Sequence, residues 1–200
     1  IAAMHSILKE ANFECNVYTS PDILRKNERF VFNNQELNDD ELANLFEEVE
    51  EINGGETATI FEMLTACFLY KAAQYPKNIN LVESGLFHRF DATNVFKNNL
   101  ASVVCTCSTD HTDWLPENDR TVERIVFEKT SSLLNSNIIV AKQRNKETME
   151  NIKKAISKNQ SNKYFFNEDF SFTNEENGYW YYEDKFGCLL YTSDAADDRM

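Results

Sequence analysis

Three short apolar runs in the middle of the chain constrain its fold more than any other feature. They occupy residues 79–83, 101–106 and 137–141, and loop-like or amphipathic sequence separates them. Such runs are typical of strands that are buried on both faces of a parallel sheet. Apolar residues at helical spacing in 121–134 and 146–158 indicate helices that alternate with strands. The pattern predicts an α/β fold, a three-layer and mostly parallel sheet with helices on both faces.

The flanking segments carry clear start and stop signals. Asn38 with Glu41, and Thr59 with Glu62, have the spacing of reciprocal helix caps, and Gly54 is placed to end the first of these helices. Shorter patterns predict a helix over 1–11 and strands near 15–19 and 30–32. Aromatic runs at 170–172 and 179–182 enclose the turn-like stretch 174–178. We therefore expect a β-hairpin at the C-terminal side of the sheet.

Charge and composition exclude several classes of protein. The 200 residues include 20 Lys and Arg against 33 Asp and Glu, a net charge of −13 that would repel a nucleic-acid backbone. No run approaches the roughly 20 apolar residues of a membrane helix, and the first residues lack the features of a signal peptide. Five cysteines without framework spacing favour reduced thiols and a cytoplasmic protein. The 23 asparagines are interpreted as compositional bias.

Three polar residues follow predicted strands and are the first candidates for a binding site. Ser20, Glu83 and His111 each lie just past an apolar run, and ligands of open α/β sheets gather at the carboxyl ends of strands. Together these side chains could hold Mg²⁺ beside phosphate oxygens. The structural alternatives stay open, since Glu83 could cap a turn and His111 could be a hydrogen-bonded loop residue.

Five short motifs occur in a fixed order along the chain. They are Tyr-Thr-Ser-Pro at 18–21, Asn-Glu-Arg at 27–29, Glu-Ser-Gly-Leu at 83–86, Arg-Phe-Asp-Ala-Thr-Asn at 89–94 and Asp-His-Thr-Asp-Trp-Leu at 110–115. The series resembles the folylpolyglutamate synthase/dihydrofolate synthase family of the Mur ligase superfamily. The resemblance covers residues 1–187 and implies a P-loop NTPase-like central domain.

The resemblance also implies roles for particular residues. Ser20, Glu83 and His111 match the family's metal-binding positions, and Lys129 matches a lysine that this superfamily often carbamylates. Asp91 matches the aspartate associated with the pterin of the substrate. The other two candidates in that motif are Asn94 and Arg89, which are expected near the substrate. From the residues alone, the Asp91 motif is equally interpreted as a turn, Arg89 as part of a surface ion pair and Lys129 as an exposed lysine.

The implied reaction is an ATP-dependent ligation. In the family, ATP phosphorylates a carboxylate of dihydropteroate or tetrahydrofolate, and the amino group of L-glutamate attacks the acyl phosphate to form an amide. The implied cofactors are ATP and Mg²⁺, and the implied parent enzyme is cytoplasmic and monomeric. Two alternatives remain, a noncatalytic α/β pterin-binding module and a related ligase acting on cell-wall peptides. The motif at 91–94 favours folate over cell-wall precursors.

Several features depart from the family pattern. The glycine-rich phosphate loop and the C-terminal glutamate-binding domain are both missing, so residues 1–187 are expected to be a partial ATP-binding domain that is inactive alone. Asp22 stands where the family usually has histidine, and Phe87, His88 and Ser108 stand where it has glycine. Residues 188–200 change composition abruptly, and 188–198 resemble one reading frame of a transposase adapter. We expect a non-native tail there.

Overall fold

The computed structural model describes residues 1–174 and 179–192 and divides the chain into two compact units. The units are Ile1–Phe96 and Lys97–Met200. Each has its own cluster of buried apolar side chains. The sequence predicts a single partial domain over 1–187, whereas the chain divides within that range, between Phe96 and Lys97.

The first unit contains three helices and a four-stranded mixed sheet among its described residues. Its elements in chain order are α1 Ala2–Glu10, β1 Cys15–Tyr18, β2 Phe30–Phe32, β3 Gln35–Glu36, α2 Asp39–Asn53, α3 Ile60–Ala72 and β4 Ile79–Val82. The strand order is β3-β2-β1-β4. β1 pairs in parallel with β4, while β2 is antiparallel to both β1 and β3. β1 and β4 therefore end at the same edge of the sheet.

The predicted helix caps of this unit are confirmed. The Asn38 side chain accepts from the Glu41 backbone amide, and the Glu41 carboxylate accepts from the Asn38 amide. Thr59 and Glu62 form the same reciprocal pair at the start of α3. α2 ends at Gly54, whose φ of 65° lies in the left-handed region that glycine adopts without steric cost.

An aromatic cluster forms the core of the first unit. The Tyr18 ring stacks on Phe68 with the ring centroids 5.2 Å apart, and it also contacts Phe30 at 5.7 Å. All three residues are fully buried. Ile52 and Ile60 lie in terminal turns of α2 and α3 and are 67% and 79% exposed, so neither contributes to this core.

The second unit opens with alternating strands and helices. Its elements are β5 Ala101–Val104, α4 Val122–Thr130, β6 Asn137–Val140, α5 Lys146–Ala155 and β7 Asn162–Phe165. The three strands pair in parallel in the order β5-β6-β7. β7 was not predicted, because its sequence Asn-Lys-Tyr-Phe lacks a continuous apolar run, and its pairing with β6 defines it instead.

Three antiparallel strands follow at the C-terminal side. They are β8 Phe170–Asn174, β9 Tyr179–Asp184 and β10 Gly187–Thr192, in the order β10-β9-β8. The predicted turn residues 175–178 and the end of the predicted tail, 193–200, lie outside the described residues. Residues 188–192 were also predicted to be tail, yet their backbone pairs with β9. The open edge of β9 provides backbone donors and acceptors for this extra strand.

The predicted fold class is confirmed: the chain is α/β, with a parallel sheet and a C-terminal antiparallel hairpin. Within the described ranges, no helix is both long enough and apolar enough to cross a membrane.

Candidate active site

Ser20 and Glu83 lie together at the edge of the sheet where β1 and β4 end. The parallel pairing places Tyr18 opposite Val82, and the Glu83 amide donates to the Tyr18 carbonyl at 3.0 Å. Each strand is thus followed at once by one of the predicted site residues. The Ser20 backbone amide donates to Glu83 Oε2 at 3.1 Å, and both residues are half-buried. The structure brings these two predicted residues into direct contact.

The oxygen atoms of this pair suit a hard cation. A serine hydroxyl and a carboxylate are ligand types that Mg²⁺ accepts, with phosphates and waters completing its shell. Among residues 1–174 and 179–192, no group of three or more His, Cys, Asp and Glu side chains is close enough together to hold a metal ion. A metal at Ser20 and Glu83 would therefore need ligands of other kinds or from a bound phosphate.

Asp91 organises the turn that follows Glu83. Its Oδ2 accepts from the backbone amides of Gly85 at 2.9 Å and Leu86 at 3.1 Å. Its Oδ1 accepts from the Thr93 amide at 3.0 Å and the Thr93 hydroxyl at 2.6 Å. Four hydrogen bonds from the chain thus reach one carboxylate, which ties the segment after β4 to the turn at 91–93.

Gly85 is packed too closely to carry a side chain. A Cβ at this position would lie 2.7 and 2.9 Å from two Phe61 ring atoms and 3.0 Å from Asp91 Oδ2. Real Cβ atoms essentially never approach other heavy atoms within 3.0 Å. The glycine therefore allows the backbone to pass between the aromatic ring and the Asp91 carboxylate.

Asn94 and Arg89 belong to the same turn. The Asn94 amide donates to the Asp91 carbonyl at 2.9 Å, and its side-chain amide donates to the Arg89 carbonyl at 3.3 Å. The Arg89 guanidinium lies over the Phe90 ring, 4.4 Å from its centroid. Asn94 thus closes the turn, and Arg89 remains a cation at its surface.

His88 is the unusual titratable group of this turn. Burial lowers the pKa of its imidazole, and the nearby Asp91 charge opposes that effect. The neutral ring is therefore favoured at neutral pH. Phe87 and His88 place bulk where the family resemblance implies glycine, but the turn around Asp91 still forms.

Asp22 and Arg29 form a mostly buried ion pair beside Ser20. Arg29 Nε and one terminal nitrogen each lie 2.5 Å from Asp22 Oδ1, and Lys26 Nζ contacts the same carboxylate at 2.9 Å. Hydrogen bonds from Lys26 and Arg29 lower the pKa of Asp22 to about 2. In the sequence, Asp22 was identified only as a departure from the family pattern. The oppositely charged Lys26 four positions later was a signal that could have predicted an ion pair.

His111 and Lys129 lie with Asp110 in the second unit. Lys129 Nζ is 3.4 Å and His111 Nε2 is 3.9 Å from Asp110 Oδ2. The other oxygen, Oδ1, is buried and has no hydrogen-bond partner within the described structure. Because a buried carboxylate oxygen normally has a partner, this atom marks a place for a cation or a water. Sequence reasoning had not selected Asp110.

The contact with Asp110 suits the ammonium form of Lys129. A carbamate there would place two anions together unless a cation stood between them. Burial raises the pKa of the neighbouring Cys107 thiol to about 11, an effect that Lys129 opposes and Asp110 reinforces. Cys107 is thus a neutral thiol at physiological pH.

The predicted site residues are divided between the two units. Ser20, Glu83 and Asp91 belong to Ile1–Phe96, and His111 and Lys129 belong to Lys97–Met200. The structure brings Ser20 to Glu83, and Lys129 to the neighbour of His111. The expected proximity of Glu83 and His111 stays a prediction.

A separate cavity of about 370 Å³ lies at the N-terminal ends of α4 and α5. Thr121 and Asn145 line it, and their side chains cap the two helices. None of the predicted site residues lines this cavity.

Comparison with known proteins gives a consistent result. No family model matches the chain. The dihydrofolate synthase/folylpolyglutamate synthase of Escherichia coli strain K12 is 37% identical over 123 residues, which make up 60% of this chain and 28% of that protein. The chain spans less than a third of the length of the first curated relatives it matches.

Solved structures match over nearly the whole chain. E. coli FolC in complex with DHPP and ADP has a TM-score of 0.80 and 28% identity, covering 93% of this chain and 43% of that one. The bifunctional folylpolyglutamate synthase/dihydrofolate synthase of Yersinia pestis, complexed with AMPPNP and Mn ion, has a TM-score of 0.79 and 27% identity with the same coverage.

The fold is that of a Mur ligase-like α/β protein. The predicted resemblance to the folylpolyglutamate synthase/dihydrofolate synthase family is confirmed, over a part of the length of its members.

Proposed function

We propose that this chain is part of an ATP-dependent ligase that adds L-glutamate to dihydropteroate or folate. The observation that carries the proposal is the contact of Ser20 with Glu83 at the carboxyl ends of β1 and β4. Parallel α/β sheets bind ligands at this edge. The curated relatives that the chain matches are dihydrofolate synthases/folylpolyglutamate synthases. A monomeric, cytoplasmic parent enzyme belongs to the same proposal, and all five cysteines are free thiols, which agrees with it.

The reaction has two steps. A carboxylate of the folate substrate attacks the γ-phosphorus of ATP, which forms an acyl phosphate and releases ADP. The amino group of glutamate then attacks the acyl carbon, so that the amide forms, phosphate leaves and a proton is lost from nitrogen. The first step brings the anionic carboxylate against the anionic γ-phosphate of ATP. An active site for this step therefore needs positive charge near the phosphate.

Ser20, Glu83 and His111 are proposed to hold a divalent metal ion. The Ser20 hydroxyl and a Glu83 oxygen, which lie at the same edge of the first unit's sheet, are oxygen ligands of the kind that a hard cation accepts. Bound there, Mg²⁺ would neutralise charge on the phosphate oxygens. In this chain, Glu83 supplies negative charge to one side of the site and the Ser20 amide fixes its orientation.

The turn at 89–94 is proposed to contact the pterin end of the substrate. Asp91 holds the turn in one shape through four hydrogen bonds, so a pterin donor that reaches Asp91 would share oxygens already used by the chain. Arg89, a half-buried cation that lies over the Phe90 ring, is the basic residue of the motif and can attract the anionic substrate. Lys129 is proposed as the lysine that is carbamylated, which requires its contact with Asp110 to break or to be bridged by metal.

The test uses the complete reading frame that contains this chain, expressed as one protein. ATP, Mg²⁺ and L-glutamate are supplied with dihydropteroate or, separately, with tetrahydrofolate. We expect an amide product in an amount equal to the ADP released. Glu83→Gln should form this product at least about a hundredfold more slowly, while the exposed Glu47→Gln variant remains as active as the parent. Absence of product with both acceptors would remove the ligase proposal.

A noncatalytic pterin-binding module is the second candidate, favoured by the intact turn around Asp91 together with the bulk of Phe87 and His88. The same preparation decides between the two. Saturable binding of dihydropteroate without ADP release, under conditions where a known relative turns over, would favour the binding module.

A further inference from the structure

Ser20 lies in a short loop, and Arg29 contacts the chain on both sides of Ser20, at Thr19 and at Asp22. On one side the Thr19 amide donates to the Arg29 carbonyl at 3.2 Å. On the other side the Arg29 guanidinium contacts Asp22 Oδ1 at 2.5 Å. Ser20 and Pro21 are the only residues between these two anchors. The position of the Ser20 amide toward Glu83 is therefore set by Arg29 through Thr19 and Asp22.

The ion pair is built as an anchor and not as a surface contact. The Arg29 side chain is 10% exposed and that of Asp22 is 19% exposed. A guanidinium buried to that extent needs a matched carboxylate, so the loop cannot leave Arg29 without leaving a buried charge unpaired. Lys26 also contacts Asp22, but its side chain is 55% exposed and water can replace the contact at little cost.

Arg29 is itself held in place by the sheet. It immediately precedes β2, and the antiparallel pairing of β2 with β1 sets Phe30 opposite Tyr18. The anchor thus links the end of β1, where Ser20 follows, to the start of β2. Asp22 stands at a position where the family resemblance implies histidine, a residue that cannot offer a carboxylate to this guanidinium.

We propose that Asp22 is a positioning residue, which through Arg29 holds the Ser20 amide on Glu83 and so sets the geometry of the metal-binding end of the sheet. The metal-binding part of this statement rests on the proposed function. The positioning part does not, because it concerns a hydrogen bond between two residues of this chain.

The first measurement is amide hydrogen exchange of Ser20 in the 200-residue chain. Asp22→Asn keeps the shape of the side chain and removes its charge, so the anchor weakens while the core is untouched. We expect Ser20 to exchange about tenfold faster or more, the size of effect that loss of a hydrogen bond to a charged group produces. Lys26→Met, which removes the exposed partner of the same carboxylate, is the control and should leave Ser20 exchange within about twofold of the parent.

A second comparison guards against misfolding. Asp22→Glu retains the carboxylate and should restore most of the Ser20 protection that Asp22→Asn loses. Amides of α2 and α3 provide an internal reference, since a general loss of stability would raise their exchange as well. Unchanged Ser20 exchange in Asp22→Asn, or faster exchange that Ser20 shares equally with α2 and α3, overturns the proposal.

The third measurement is a double-mutant cycle between Asp22 and Glu83. It separates positioning of the Ser20 amide on Glu83 from a general structural effect. Mn²⁺ alone is titrated into the parent chain, Asp22→Asn, Glu83→Gln and the double variant. We expect Asp22→Asn to weaken Mn²⁺ binding at least about threefold when Glu83 is present and to change nothing when Glu83 is already replaced. Equal weakening in both backgrounds contradicts positioning through Glu83. If the parent chain binds no Mn²⁺, the metal assignment of the proposed function falls, and the exchange of Ser20 still decides the role of Asp22.

Discussion

Asn16 and Asn80 face each other across the parallel pair β1 and β4 and are joined by a side-chain hydrogen bond of 2.8 Å. Asn16 is fully buried. Its side-chain oxygen, Oδ1, accepts from the Asn33 backbone amide and from the Asn78 side-chain amide, both at 3.1 Å. The register that sets Tyr18 opposite Val82, and hence Ser20 near Glu83, is thus also fixed by polar contacts at the other end of the same strands.

The first prediction concerns this network. Asn16→Leu should lower the free energy of unfolding by about 1 to 3 kcal/mol, because the partners of its side chain on Asn33, Asn78 and Asn80 lose hydrogen bonds that are partly buried. Chemical denaturation monitored by fluorescence measures the change. The control is Asn44→Ala on the exposed face of α2, which should be neutral or slightly stabilising because alanine is the better helix former. An equal loss in both variants would show that Asn16 contributes no more than a surface asparagine.

The second prediction concerns the close packing of Gly85 on Phe61. Gly85→Ala should destabilise the chain by about 1 to 3 kcal/mol, since the added methyl group overlaps the aromatic ring. Phe61→Leu removes the ring atoms that the methyl would meet. The double variant should therefore be more stable than the sum of the two single losses predicts, which a double-mutant cycle in urea measures. Additive losses would contradict steric conflict as the cause.

The third prediction uses the buried thiol of Cys67. Burial raises its pKa from the ordinary 9.0 to about 11. Since only the thiolate reacts, alkylation at pH 8 should be about a hundredfold slower than for a thiol of ordinary pKa, before any effect of access. The folded state favours the neutral thiol, so its contribution to stability is present below pH 9 and is lost as the pH rises toward 11. Peptide mass spectrometry after iodoacetamide treatment measures the rates, with the exposed Cys105 as the reactive control.

The fourth prediction addresses the role of Glu83 in the complete protein. Glu83→Gln should lower kcat by roughly a hundredfold or more, as loss of a group that stabilises transition-state charge does, and should change KM for dihydropteroate by less than about threefold. Steady-state kinetics at saturating ATP separate the two constants. A large rise in KM at unchanged kcat would place Glu83 in substrate binding and not at the phosphoryl-transfer step.

Local signals and strand ends were predictable from the sequence. The helix caps at Asn38 and Thr59 were predicted from a glutamate three residues later in each case. Over so short a separation, few other interactions compete with the cap. Ser20 and Glu83 were selected because both follow apolar runs, and parallel pairing of those runs is what brings them together. The expectation needed only the rule that parallel strands end at the same edge.

Long-range polar contacts were not predictable in the same way. The buried role of Asn16 depends on residues 62 and 64 positions away, and the abundance of asparagine was interpreted as bias. The pairing of Arg29 with Asp22 likewise depends on the loop that joins β1 to β2. β7 was not predicted because it lies at the edge of the order β5-β6-β7 and is only partly buried, so its sequence has no continuous apolar run.

The backbone of His111 is in the left-handed region, with φ 56° and ψ 25°. For a residue with a side chain, this conformation costs roughly 1 to 2 kcal/mol, a cost that glycine escapes. His111→Gly should therefore fold at least as stably as the parent, whereas His111→Val should lose about 1 to 2 kcal/mol in urea denaturation. A lower stability of the glycine variant would mean that the imidazole itself supports the fold. If stability is preserved, the side chain of His111 is unfavourable for folding, although the proposed metal site needs it. The glycine variant can then test the metal-binding role of His111 in a protein that is as stable as the parent.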